Sequence, residues 1–382
     1  LSRKKRLLIV LDDLHWMDNT CRRVFEFIVD NCDSDNSILF LLLYRPERTY
    51  GEVVEFDITD SYAEFEEIFL PELCERDCHE LVGKFLSGIS DVDNGTVSSE
   101  VERFLLKHAE GNPYFLEELI LDLVESDILH ENCEGWNFSS TQNDIYIPSS
   151  LAGLLQSRLD RLPEEWKSTL QKSSVLGVEF NLKLYNRLIE ELSLEEISRS
   201  VFDNLERRRF ITSTGTDLEE KYMFRNILIH DTAYNSILES NRKLLHQIAA
   251  QLIEEMYAEE EYETAAMLTF HWERAEIRKK AILWGIRYLN HTVMNYQHDT
   301  ALRLSEKLEL WLSEDPVGLE RNEQLLEVLN LRNGTLELLG KRNEQEQLLV
   351  RMKNIAEDND FKEWTGKILS ALGNVFRITG RL

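Results

Sequence analysis

RLLIVLDDLHWMD, residues 6–18, is the stretch on which the interpretation of the chain depends. Its residues 7–11 are all apolar, and two carboxylates, Asp12 and Asp13, follow them directly. A short continuous apolar run is typical of a strand that is buried on both faces, as in a parallel sheet. The acid pair therefore lies where such a strand is expected to end.

A second apolar run, ILFLLLY at 38–44, follows a segment with helical periodicity at 19–32. Two buried strands separated by a helix indicate a βαβ unit, in which ligands bind outside the carboxyl ends of the strands. Two adjacent carboxylates repel each other unless a cation shares their site. We expect Asp12 to hold the hydrated Mg²⁺ of a nucleotide and Asp13 to orient or polarise an attacking water. Capping of a strand end by an aspartate is the alternative interpretation.

From about residue 72 the sequence pattern becomes helical. A segment rich in turn-forming residues at 131–147 predicts a loop or a β-hairpin. Two short β-like runs within 207–225 flank Thr214-Gly215-Thr216, and a hairpin between helices is the layout of a winged helix. The helices expected before these segments lie at 75–87, 97–109 and 113–129.

The residues after 226 are helical in pattern and contain an internal repeat. LRNGTLELLGKR at 331–342 aligns with ALGNVFRITGR at 371–381 at an offset of 40, which places Gly340 over Gly380. Helix pairs that recur at about 34–40 residues predict an α-solenoid of tetratricopeptide type. A plain helical bundle is the alternative.

Length and composition exclude several classes of function. With 382 residues, the chain is expected to form two or three domains. A net charge of −27 repels phosphate, so we expect no extended nucleic-acid binding. No apolar stretch is long enough for a membrane span. The five cysteines are sparse and odd in number, which favours reduced thiols and a cytoplasmic location.

The acid motif resembles the Walker B segment of STAND signalling ATPases, which are relatives of the AAA group. The resemblance is closest to the regulatory ATPases found beside class III nucleotide cyclases, protein kinases and large LuxR-type regulators. It extends in order over about residues 5–260, through AEGNPYFLEELI at 109–120 and FRNILIHDTAYNSIL at 224–238. It implies ATP or ADP with Mg²⁺ as cofactors.

The resemblance also implies roles for individual residues. Arg45, after the second strand, occupies the position of the family's sensor arginine, which meets the γ-phosphate. Gly111 and Pro113 match a lid segment whose proline packs near the adenine, although a simple helix break would explain them equally. Asn226 replaces the histidine that contacts the β-phosphate in relatives. An amide carries no positive charge, so we expect the contact between this position and the β-phosphate to be weaker or absent.

The family's domain order implies an α/β P-loop NTPase core, a helical lid, a winged helix and a solenoid. The phosphate-binding sequence G-x-x-x-x-G-K-[ST] is absent from the 382 residues. We therefore expect a fragment truncated at its start, with poor ATP binding by itself and an effector domain outside it. The expected boundaries are 1–70 for the end of the NTPase core, 71–147 for the lid, 148–240 for the winged helix and 241–382 for the repeats.

Two functions remain open. In the first, an ATP-dependent switch couples a repeat domain that senses a protein or peptide to an effector such as a nucleotide cyclase or kinase. In the second, a degenerate ATPase core supports a non-catalytic scaffold that binds peptides. DNA reading by the winged helix is disfavoured, because the arginines at 207–209 are accompanied by Asp217, Glu219 and Glu220.

Overall fold

The computed structural model places most of the chain in two compact units, Leu1–Glu66 with Ala258–Leu382, and Glu67–Tyr257. We refer to them as the first and the second unit. The residues that the structure describes are 6–14, 17, 19–31, 38–44, 47–49, 52–54, 66–89, 96–133, 135–139, 147–193, 198–215, 220–257, 261–314, 316 and 318–381.

The first unit begins with the βαβ unit expected from the sequence. Strand β1 (Leu7–Leu11), helix α1 (Asn19–Asp30) and strand β2 (Ile38–Leu42) follow one another. The two strands are parallel and pair from Leu7 with Ile38 to Leu11 with Leu42. A short antiparallel pair, β3 (Glu47–Thr49) and β4 (Glu52–Val54), comes next.

One side of this sheet is packed and the other is open. On the packed side, Phe25 of α1 meets Phe40 edge to face, with ring centroids 5.5 Å apart. On the other side, about half of each apolar side chain remains exposed; these residues are Leu8, Val10, Leu39 and Leu41. An apolar face of this kind is unusual for parallel strands, which are normally covered on both sides.

The second unit begins with three helices and a hairpin. Helices α2 (Glu75–Ile89), α3 (Ser99–Ala109) and α4 (Pro113–Glu125) precede strands β5 (Leu129–Asn132) and β6 (Gly135–Phe138). Their buried side chains form one apolar cluster. The last helix ends four residues earlier than predicted, because Asp127 adopts a left-handed conformation (φ 54°) after the Ser126 cap.

The remainder of the second unit alternates helices with a small sheet. Its strands are antiparallel in the order β7-β9-β8, and the β8–β9 pair lies where the sequence predicts a hairpin. Phe180, Tyr222 and Phe202 stack in its core. The elements are α5 (Leu151–Asp160), α6 (Glu164–Leu176), β7 (Glu179–Asn181), α7 (Leu182–Glu191), α8 (Arg199–Arg207), β8 (Ile211–Ser213), β9 (Lys221–Phe224), α9 (Ile227–Asn235) and α10 (Glu239–Met256).

Helical repeats complete the first unit, as the sequence predicts, and each helix packs against the next. Among the described residues, every helix is too short or too polar to span a bilayer. The repeat helices are α11 (Glu261–Arg274), α12 (Arg278–Met294), α13 (His298–Glu314), α14 (Leu319–Leu338), α15 (Arg342–Asp358) and α16 (Lys362–Ile378).

The repeat is encoded in the turns between these helices. Gly340 and Gly380, the glycines aligned in the sequence, both adopt left-handed φ angles, 69° and 70°, just after a helix. The N–H of Lys341 then donates to the carbonyl of Leu336, which closes a Schellman turn. The carbonyl of Lys341 accepts the N–H of Gln345 in the following helix, so a single residue ends one helix and begins the next.

Buried His271 gives the first unit a pH-dependent stability. Burial in α11 lowers its pKa from the ordinary 6.5 to about 4. The folded chain therefore keeps this imidazole neutral, whereas the unfolded chain protonates it below pH 6.5. Acidification from pH 6.5 to 4 should remove up to about 3 kcal/mol of stability through this group.

The measurement is the free energy of unfolding across that pH range. His271→Gln should flatten the dependence relative to the wild-type chain, since glutamine does not titrate. If the free energy of unfolding depends on pH equally in the wild type and in His271→Gln, buried His271 is not the source of the pH dependence.

Candidate functional site

The carboxylate pair lies where β1 ends beside β2. The Leu43 N–H donates to the Leu11 carbonyl at 2.8 Å, and the Leu14 N–H donates to the Leu43 carbonyl at 2.9 Å. These bonds hold the two strand ends together beyond the ladder. Leu14 is only 2% exposed and anchors the turn, whereas Asp12 and Asp13 remain exposed at the edge of the sheet.

The backbone at Asp13 gives this turn its shape. Asp13 adopts a left-handed φ of 51°, and its N–H donates to Oδ1 of Asp12 at 2.9 Å. Asp12 therefore serves as a local cap, as the structural interpretation of the sequence requires. This bond uses a single acceptor site of a carboxylate that offers about four, so it is compatible with a further ligand.

The chemistry of the pair suits a partly hydrated cation. Mg²⁺ prefers oxygen ligands and is commonly held by one or two carboxylates together with waters and phosphate oxygens. Within the described part of the chain, no group of three or more His, Cys, Asp or Glu residues could hold a metal by itself. Mg²⁺ at Asp12 and Asp13 would thus need oxygens from a ligand or water.

The predicted sensor Arg45 lies outside the described residues, as do His15 and Trp16. The described chain reaches Tyr44, which packs against the small core around Leu14 and Phe25. Since Leu43 is bonded to both Leu11 and Leu14, the chain leaves β2 directly beside the acid pair.

In the second unit, Gly111 and Pro113 occupy the turn between α3 and α4. Gly111 has a left-handed φ of 77°, and its carbonyl accepts the N–H of Leu73 at 2.9 Å. Asn112 caps α4 by accepting the Phe115 N–H at 3.0 Å, and Pro113 is the first residue of the helix. Each residue of the Gly-Asn-Pro triplet thus has a local structural role, while the Pro113 ring remains exposed.

The positive charge of Arg225, the residue before Asn226, acts on the residue that follows Pro113. Burial raises the pKa of Tyr114, the charge of Glu118 adds to this effect, and the charge of Arg225 opposes it. The Arg225 N–H donates to the Phe210 carbonyl at 3.1 Å.

Asn226 itself caps a helix. Its Oδ1 accepts the Leu228 N–H at 2.8 Å at the start of α9, so the amide NH₂ is the donor left for another partner. His230, one turn later, lies with Nε2 2.9 Å from the Ser174 carbonyl and with Nδ1 2.9 Å from Asp231. His230 is therefore a largely buried packing residue.

A buried ion network in the second unit was missed by the sequence interpretation. Arg158 of α5 is 0% exposed, and its guanidinium pairs with Glu118 and Glu125, both on α4. Burial by itself would lower the pKa of Arg158, but the hydrogen bond to Glu125 and the charges of both carboxylates raise it above its ordinary value. Arg158 is therefore charged in the folded chain.

A spacing in the sequence could have revealed this network. Glu118, Asp122 and Glu125 recur at helical spacing within an otherwise apolar α4, and all three are largely buried. Buried carboxylates need partners, and arginine is the usual one. Arg158 of α5 pairs with Glu118 and Glu125, and Arg161, the residue that follows α5, pairs with Asp122.

Two of the three arginines at 207–209 serve packing, whereas Arg207 is exposed. The Arg208 guanidinium lies 5.3 Å from the centroid of the Trp166 ring, and that of Arg209 lies 4.4 Å from the centroid of the Phe85 ring. Both side chains are thus engaged within the second unit. Of the acids that accompany them, Asp217 and Glu219 lie outside the described residues, and Glu220 pairs with Arg199 at 3.0 Å.

Comparisons with known proteins place this chain only loosely. No family model matches the sequence. An uncharacterized protein of Rhizobium meliloti (strain 1021) is 25% identical over 175 residues, which are 45% of this chain and 16% of that protein. A solved STAND protein with a tetratricopeptide repeat sensor, from Pyrococcus horikoshii, is 12% identical with a TM-score of 0.44, over 98% of this chain and 59% of that one. The chain spans less than two thirds of either protein, and neither likeness is close enough to assign it to a family.

Substitution of Gly111 tests the local role of the Gly-Asn-Pro turn. A Cβ at this position would lie 2.8 Å from the Leu73 carbonyl oxygen and 2.9 Å from the Glu72 Cβ, in a left-handed backbone. Gly111→Ala should therefore lower the free energy of unfolding of the second unit by about 2–3 kcal/mol.

Gly83→Ala is the matched control in α2, because a Cβ there meets no atom within 4 Å. It should raise the same free energy by about 0.5–1 kcal/mol, the helical preference of alanine over glycine. Chemical denaturation of both variants gives the comparison. Similar effects for the two would show that Gly111 is a replaceable helix break.

Proposed function

We propose that this chain is the regulatory part of a nucleotide-dependent signalling switch. In this proposal the helical repeats receive a protein or peptide signal, and a covalently linked effector, such as a nucleotide cyclase or a kinase, produces the output. The observation that carries the proposal is the exposed pair Asp12 and Asp13 at the carboxyl end of a parallel strand. Open α/β sheets bind their ligands in the crevice outside the carboxyl ends of the parallel strands.

The proposed nucleotide site assigns one role to each residue. Asp12 holds Mg²⁺ through water, Asp13 polarises the attacking water, and Arg45 meets the γ-phosphate. For the second unit, considered by itself, the resemblance assigns contact with the adenine to the Gly111–Pro113 turn and donation to a phosphate oxygen to the Asn226 amide. Bound Mg·ATP supplies the hydrolysable phosphoryl group, whose loss or retention is the signal.

We propose the domain order implied by the resemblance: an NTPase core to residue 70, a helical lid over 71–147, a winged helix over 148–240 and tetratricopeptide-like repeats from 241. Support for the winged helix comes from the second unit, where α6, β7, α7, α8, β8 and β9 follow in that order. The three strands form one sheet with β9 in the middle.

The open face of the β1–β2 sheet supports a wider nucleotide-binding core. Leu8, Val10, Leu39 and Leu41 are 45–66% exposed on parallel strands, which fold stably only when further elements cover them. We propose that a longer protein supplies those elements, together with the phosphate-binding loop that the 382 residues lack.

A non-catalytic scaffold is the second candidate. It is favoured by Asn226, whose acceptor oxygen is used by the α9 cap and whose side chain carries no charge toward a phosphate. In this alternative the β1–β2 sheet is a relic of a catalytic core, and the repeats bind a peptide without any nucleotide dependence.

The test is ATP turnover by the product of the full reading frame that contains this segment. Asp13→Asn should lower turnover by roughly 10²-fold or more, because the water loses its polarising carboxylate, while ADP affinity changes by less than about threefold. Asp12→Asn should instead lower the affinity for Mg²⁺, so that half-maximal turnover requires a higher Mg²⁺ concentration.

Asp30→Asn, an exposed acid of the same βαβ unit, is the control and should leave turnover unchanged. Turnover that is indistinguishable between wild type and Asp13→Asn would contradict the switch. Peptide binding that is independent of nucleotide would then favour the scaffold.

A further inference from the structure

The guanidinium of Arg158 joins three parts of the second unit that are distant in sequence. It donates to Glu118 and to both carboxylate oxygens of Glu125, at 3.0 and 2.8 Å, on the lid helix α4. It also donates to the carbonyl of Arg208 at 2.9 Å, in the segment that leads from α8 into β8. Its Cζ lies 4.7 Å from the centroid of the Phe210 ring in that same segment.

Complete burial makes these contacts mutually dependent. A fully desolvated charge is tolerated only while its donors are satisfied, and removal of one partner leaves a charge without water or counterion. Movement of α4 relative to α5 would break the hydrogen bonds to Glu118 and Glu125 at once, and movement of the segment before β8 would break the hydrogen bond to the Arg208 carbonyl together with the Phe210 ring contact. Relative motion of the three parts is therefore much more costly than motion across an ordinary apolar contact.

Two further contacts bridge the same parts. Arg161 of α5 pairs with Asp122, which is 4% exposed on α4. The Arg209 guanidinium, in the segment before β8, covers the Phe85 ring of α2 at 4.4 Å. Five of the six side chains in these pairs and in the Arg158–Glu118 pair lie on the lid, on α5 or at its C-terminal end, and the sixth, Arg209, extends the connection to the sheet.

We propose that the lid helices α2–α4, the connecting helix α5 and the sheet β7-β9-β8 open as a single cooperative body, and that Arg158 is the residue that couples them. The inference does not depend on nucleotide binding. Within the proposed switch, it means that the lid and the sheet move together when the phosphate is lost.

The opposing view is that the lid and the sheet are separate folding units that meet at an interface. The two views differ in how a local defect spreads. In one cooperative body, a substitution that destabilises either part lowers the protection of the most protected amides throughout. In two units, the effect stops at the interface.

Native-state hydrogen exchange of the full chain measures this spread. Ile120→Val in α4 and Ile211→Val in β8 are matched substitutions, since both side chains are at most 1% exposed. Each should lower protection by roughly 3- to 10-fold. We expect the same fold-change for the core amides of α3 and for Tyr222 and Phe224 in β9, whichever isoleucine is replaced.

The role of Arg158 is tested by repeating the measurement in a second background. Arg158→Met with Glu118→Leu and Glu125→Leu removes the arginine together with both of its carboxylate partners, because a partial replacement would strand a buried charge and endanger folding. In this background, Ile120→Val should affect only the lid amides and Ile211→Val only the sheet amides. Arg187→Met with Glu190→Leu, an exposed ion pair on α7, is the control and should keep the coupling intact.

Three results would overturn the proposal. If Ile120→Val in the wild-type background leaves the Tyr222 and Phe224 amides unchanged, the second unit is not one cooperative body. If the coupling persists without Arg158, Glu118 and Glu125, the body exists but Arg158 does not couple it. If the Arg187 control also abolishes the coupling, the effect is a general loss of stability.

Discussion

The buried charge of Arg158 is the constraint on which the second unit depends. Its partners lie 33 and 40 residues before it and 50 residues after it, so the guanidinium is satisfied only when three separate stretches are already assembled. Apolar packing would tolerate small shifts among the same elements, because dispersion contacts have little directionality. Hydrogen bonds to a desolvated charge do not tolerate them. The network therefore specifies one arrangement of α4, α5 and the segment that leads into β8.

The helical repeats are ordered by contacts between residues close in sequence, in contrast to the long-range contacts of Arg158. Their turns are local: Gly340 or an equivalent residue such as Asp360 adopts a left-handed conformation, and the next residue closes one helix and opens another. The ion pairs Glu314–Arg278, between α13 and α12, and Glu273–Lys307, between α11 and α13, are partly exposed to water, so each adds little stability. Most of the stability comes from burial of one apolar face per helix against its neighbours.

At the candidate site, structural and functional interpretations of the same residues are compatible. Asp12 accepts the Asp13 N–H and still offers oxygens toward a ligand. The Gly-Asn-Pro turn needs its glycine for backbone reasons, yet its proline ring remains exposed. Asn226 uses its carbonyl oxygen in a helix cap and keeps its amide donor. A residue type that satisfies the backbone can therefore also have a role in binding, and local geometry does not decide between the two.

The sequence by itself determined the elements whose cause is local. Continuous apolar runs predicted β1 and β2, and the 40-residue offset between Gly340 and Gly380 predicted the repeat. These features are visible in the sequence because a strand, a helix or a left-handed glycine turn depends on residues that are close together along the chain. Only the tertiary structure decided that His230 is a packing residue and that Arg158 is buried at the junction of three elements. Those outcomes depend on partners tens of residues away, such as Ser174 for His230 and Arg208 for Arg158. Spacing along the chain does not identify which partner a buried polar group will find, since desolvation is a property of the assembled fold.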